Sequence, residues 1–166
     1  MKKYNIKRRS RSDAAYLQHN PNGDPFEIKT RLSPNEKLLY GLGLGIYWGE
    51  GNKTTPHTVA VANSDPKIIK VFITFLINIC GLDTDKIRYS IVCFNNSNEK
   101  SVRKYWSNHL KILPSKFGKI VQIPPQGRGS YKRKKNHGVC TIWVGNIKLK
   151  KWIMGSIDNI DVNLPG

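Results

Sequence analysis

The sequence predicts one α+β domain in which helices cover an antiparallel sheet, preceded by a basic polar arm over residues 1–32. Three observations carry this: a capped, glycine-rich helix after Ser33, short alternating β-rich runs, and three further amphipathic helices between and after them. With 166 residues the chain is long enough for one domain with a proper core, placed here at residues 33–166. An apolar content of 39% with Trp, Phe and Tyr present argues for a folded chain.

The arm comes first. Lys2, Lys3, Lys7, Arg8, Arg9 and Arg11 crowd its start, and Asn20-Pro21-Asn22-Gly23-Asp24-Pro25 reads as turn. The first domain helix is announced by Ser33-Pro34-Asn35-Glu36: Ser at the N-cap, Pro at the first helical position and Glu three residues after the cap form a capping box. It runs to about Gly49. His57 to Asn63 alternates and is β-rich, so a strand is expected there, with Asn52 to Thr55 as a short partner. Ser64-Asp65-Pro66 caps the next helix, whose Ile68, Phe72, Phe75, Leu76 and Ile79 recur at helical spacing before Gly81 ends it.

Lys86 to Phe94 alternates, with Ile87, Tyr89, Ile91 and Cys93 on one face and Arg88 and Ser90 on the other. Asn96-Ser97-Asn98-Glu99 opens a helix with Val102, Trp106 and Leu110 inward. Ile120 to Ile123 and Val139 to Val144 read as strands. Ile147, Leu149, Trp152, Ile153 and Ile157 form a closing helix. The order from residue 33 is α-β-α-β-α-β-β-α.

Net charge is +17 with 28 Lys and Arg against 11 Asp and Glu, which calls for a polyanionic partner, nucleic acid first. From Lys100 to Ile157 there is no acid, while Arg103, Lys104, Lys111, Lys116, Lys119 and the loop Arg128 to His137 accumulate. In that loop Arg128, Lys132, Arg133, Lys134 and Lys135 surround Tyr131, a pattern suited to gripping phosphates with occasional base contact. Lys86, Arg88 and Ser90 form a second contact candidate. Three scattered Cys and four scattered His give neither a disulfide framework nor a zinc signature. Neither a signal peptide nor a membrane span is legible, so a cytoplasmic protein is expected.

The most informative stretch is Gly41-Leu42-Gly43-Leu44-Gly45-Ile46-Tyr47-Trp48-Gly49-Glu50-Gly51. Each interior Gly costs a helix about 1 kcal/mol against Ala, so something must offset it. Gly41, Gly45 and Gly49 share one face, which lets another backbone come close. Glu50 ends that face. A carboxylate is disfavoured at a helix C-terminus, and a divalent cation held by Glu50 and a nearby carbonyl such as that of Gly51 would relieve it; Mg²⁺ suits those oxygens. Asn52 and Lys53 follow directly and could orient a phosphate or water.

Gly43 to Gly51 resembles the LAGLIDADG motif of homing endonucleases. Gly45 and Gly49 match its small packing positions, Glu50 its acid and Gly51 its final Gly; Gly43 replaces the leading Leu, and Trp48 stands where Asp is common. The resemblance implies an αββαββα unit with a saddle-shaped sheet and a homodimer joined at Gly41, Gly45 and Gly49. It also implies a metal ion on Glu50, duplex DNA as substrate and a staggered double-strand break with 3′ overhangs. The helix near Ser97 to Leu110 is additional to that unit. Ile153 to Asp161 loosely echoes the motif but has too little chain after it to build a second half, and reads as an ordinary amphipathic helix. Two other functions fit the same residues: a DNA-binding regulator that does not cut, and an RNA-binding or splicing-assistance protein.

Overall fold

A computed structural model describes residues 11–124 and 137–160. The elements are α1 (Arg11–His19), α2 (Pro34–Glu50), β1 (Thr58–Asn63), α3 (Pro66–Asn78), β2 (Arg88–Phe94), α4 (Glu99–Leu110), β3 (Val121–Ile123), β4 (Val139–Gly145) and α5 (Ile147–Asp158), with 3-10 turns at Thr84–Lys86 and Pro114–Lys116. The helix and strand order expected from residue 33 onward is the observed one.

Caps set the helix starts. Ser33 Oγ accepts from the Glu36 backbone N–H while Glu36 Oε2 accepts from the Ser33 N–H at 2.9 Å, closing the capping box that begins α2. Asp65, Asn98 and Asn146 cap α3, α4 and α5 by accepting from backbone N–H groups two or three residues on. Gly81, at φ +60°, turns the chain after α3 with its Cα against Glu27; a Cβ there would lie 2.3 Å from the Glu27 carbonyl oxygen.

The sheet has four strands in the order β1-β4-β2-β3. β4 runs antiparallel to both neighbours, pairing Ala60 with Trp143 and Trp143 with Arg88. The pairing of β3 corrects the antiparallel expectation: β3 lies parallel to β2, Val92 opposite Val121. The chain leaves β2, passes through α4 and re-enters in the same direction, which is the crossover that parallel neighbours require. The expected partner at Asn52 to Thr55 forms one step earlier, as a bridge from Gly51 to Val61 and a bond from Asn52 N–H to the Ala60 carbonyl at 2.9 Å.

One sheet face is buried under the helices. Val59, Val61, Ile91, Cys93, Ile142 and Val144 point into a core shared with Leu44, Phe72, Leu76, Trp106, Leu149 and Ile153. Tyr47, Phe72, Phe75 and Trp152 stack in series, with centroids 5.7 to 6.4 Å apart. The segment ahead of α2 joins this body: Phe26, Ile28 and Leu32 pack on the core, and Lys29 N–H bonds the Ile79 carbonyl at 2.9 Å. No helix among the described residues is long and apolar enough to cross a membrane.

Candidate nucleic-acid interface and carboxylate site

Helix α2 is two-faced in an unusual way. Leu44 and Tyr47 are buried, and Gly43 touches α3 so closely that a Cβ there would lie 2.2 Å from Phe75 Cγ. On the other side Gly41, Gly45 and Gly49 have nothing within 4 Å of an added Cβ. Between them stand Leu38, Leu42 and Trp48, 66%, 48% and 55% exposed. The close approach within the chain therefore belongs to Gly43. The Gly41, Gly45 and Gly49 face is an open apolar stripe, with no partner among the described residues.

Glu50, exposed, ends this stripe, and its carboxylate makes no hydrogen bond or ion pair among the described residues. The chain then turns sharply. Gly51 lies in extended conformation (φ −74°, ψ 144°), but a Cβ on it would sit 2.3 Å from the Tyr47 carbonyl oxygen and 2.6 Å from its ring, so steric closeness demands the glycine. Asn52 spends its side chain on the turn, its Oδ1 accepting from the Thr54 and Thr55 N–H groups at 3.0 Å. Lys53 Nζ reaches the Gly51 carbonyl at 3.5 Å.

Beneath this turn lies a residue the sequence reading did not single out. Lys150 of α5 is only 4% exposed, and its ammonium donates to the Tyr47 hydroxyl and the Asn52 carbonyl. It also lies 4.9 Å from the centroid of the Tyr47 ring. Tyr47 in turn donates to the same Asn52 carbonyl at 2.7 Å. Burial, and then the charge of Lys53, push the Lys150 ammonium down from the usual lysine range. Burial pushes the Tyr47 hydroxyl up to about 12. A buried cation thus ties the residues after Glu50 to α5 and complements the carbonyl end of α2. In the sequence Lys150 is one of three lysines in Lys148-Leu149-Lys150-Lys151, and the inward phase it shares with Leu149 and Ile153 was the available signal.

One chain offers an ion Glu50 and, if Lys53 swings away, the Gly51 carbonyl. Among the described residues no three His, Cys, Asp or Glu side chains converge. That donor set is compatible with Mg²⁺ only when other oxygens come from water, a phosphate or a second copy.

The second sheet face is bare among the described residues. Arg88, Ser90 and Val92 of β2, Val139, Thr141 and Trp143 of β4, and Ala60 and Ala62 of β1 line it, with no acid on any of the four strands. Arg88 and Ser90 stand here together, Arg88 Nη1 steadied by the Asp85 carbonyl at 2.9 Å. Lys86 lies in the 3-10 turn before β2 rather than on the strand, and Lys119 is exposed just ahead of β3. Arg128, Tyr131, Lys132, Arg133, Lys134 and Lys135 lie outside the described residues. Thr141 and Trp143, which the sequence reading left unassigned, share the face with Arg88 and Ser90 because β4 pairs with β2 in that register.

No family model, curated protein or solved structure matches the chain.

Proposed function

We propose that this protein is a DNA-binding, divalent-metal-dependent endonuclease that works as a homodimer. The observation that carries the reading is the placement of Glu50. It is an exposed carboxylate without a partner among the described residues, and it ends a helix face left open by three glycines. Gly51 and Asn52, which follow it, pair with β1 at the edge of a sheet whose outer face bears no acid. Two copies joined at Gly41, Gly45 and Gly49 bring two Glu50 side chains toward the dyad while both sheets face one duplex. The +17 charge supplies the attraction to phosphates. A divalent ion held there would supply Lewis acidity for phosphodiester hydrolysis. Glu50 would hold the ion, Lys53 and Arg88 offer cations to backbone phosphates, and Lys150 fixes the Gly51–Asn52 turn so that Glu50 keeps its place.

A regulator that binds without cutting is the second reading, favoured by the lack, among the described residues, of a cluster of three metal-holding side chains around Glu50. Incubation with a plasmid library and Mg²⁺ separates the two. Discrete cuts that vanish in Glu50→Gln, with binding retained, are the expected result. Intact plasmid with tight binding leaves the regulator, and a fully active Glu50→Gln removes Glu50 from the mechanism.

A further inference from the structure

The four tryptophans have distinct surroundings. Trp106 is buried and donates to the His137 carbonyl at 2.7 Å, Trp152 stacks with Phe75, and Trp48 lies on the open stripe of α2. Trp143 stands mid-strand on the bare sheet face, 41% exposed, its indole making no ring contact or hydrogen bond among the described residues. The register places Ala60 on one side of it and Arg88 on the other. Alanine leaves room beside the ring, while the Arg88 backbone lies one strand spacing, about 5 Å, away on the other side, its guanidinium bonded to the Asp85 carbonyl.

We infer that Trp143 is a stacking platform for an unpaired nucleobase, with Arg88 meeting the phosphate beside it. A paired duplex keeps its base faces stacked on one another and shows a protein only base edges in its grooves. An isolated aromatic ring on an open, acid-free sheet gains most from the face of a base that has left its stack, whatever the base's identity. The ligand is therefore a single strand or a locally opened step of a duplex. The positive charge of the chain and the lack of acids on all four strands argue for this occupant over an apolar protein surface. The inference rests on the nucleic-acid part of the proposed function and is independent of cleavage.

The test uses the full chain, without divalent ions, against three fluorescein-labelled probes: a short oligothymidylate, the matching oligouridylate, and a fully paired hairpin. Trp143→Ala is expected to lose roughly tenfold or more of its affinity for the single strands and less than about twofold for the hairpin. Trp143→Phe should recover most of the loss. Quenching of tryptophan emission by the oligothymidylate should disappear in Trp143→Phe, which reports the ring contact without relying on the alanine variant. Comparison of the two single strands tells whether the platform serves DNA, RNA or both. Equal losses on hairpin and single strand would make Trp143 a groove contact and overturn the inference, as would unchanged affinities. Wild-type protein that binds none of the probes would overturn the nucleic-acid reading as well, whereas binding to the hairpin alone overturns only the stacking platform.

Discussion

Replacing Gly41 and Gly45 together by alanine separates the stability of one chain from the stability of a pair. In the single chain both positions are open, with nothing within 4 Å of the new methyl groups. Each substitution should then stabilise α2 by about 1 kcal/mol through helix propensity, about 2 kcal/mol in all. For a domain of this size that raises the melting temperature by roughly 4 to 8 °C when the chain is monomeric. In the proposed pair the two positions occur twice, and the methyl groups hold the backbones apart. A penalty of about 3 kcal/mol, the upper end for a misfit in a packed contact, weakens the dissociation constant about 100-fold. Gly43→Ala is the control: its methyl meets Phe75 at 2.2 Å and should destabilise the fold by about 1 to 3 kcal/mol at every concentration. Sedimentation across a dilution series gives the mass, and thermal melts at low concentration give the stability of the chain. A double variant that stays dimeric with unchanged affinity would refute the assigned interface. One that melts lower even as a monomer would show that this face packs within the chain.

Two further outcomes follow from the same geometry. Glu36, held chiefly by the Lys29 ammonium at 2.6 Å and then by the Ser33 N–H and hydroxyl, has its carboxyl lowered from 4.5 to about 2. A depressed folded-state pKa contributes stability that is present above about 4.5 and lost as pH falls toward about 2. Lys29→Met should therefore flatten the fall of the urea midpoint across that window, and equal slopes would show that the pair is not coupled to folding. Gly51→Ala should lower the urea midpoint by the equivalent of about 1 to 3 kcal/mol, because its methyl would overlap the Tyr47 carbonyl and ring; wild-type stability would mean that the turn relaxes freely.

Local patterns made most of the elements legible. The capping box at Ser33 and Glu36, the Asp65-Pro66 start of α3 and the inward Val102, Trp106 and Leu110 of α4 are each written within a few residues. The alternation in β2 placed Tyr89, Ile91 and Cys93 inward as observed. The parallel pairing of β3 was not legible, since three residues, Val121–Ile123, carry no signal of direction, and the crossover through α4 sets it.

The candidate site divides the same way. The sequence alone determined that an acid sits between glycines at the end of a helix in a strongly basic chain, because composition and helical phase are properties of neighbours along the chain. Tertiary structure decided that Gly43, rather than Gly41 or Gly45, takes the close contact with α3. It also brought Lys150, about a hundred residues away, under the Asn52 carbonyl. It set Trp143 beside Arg88 through the register of β4 on β2. Those three facts depend on which faces meet when the helices close over the sheet, and packing between distant segments leaves no mark in local periodicity.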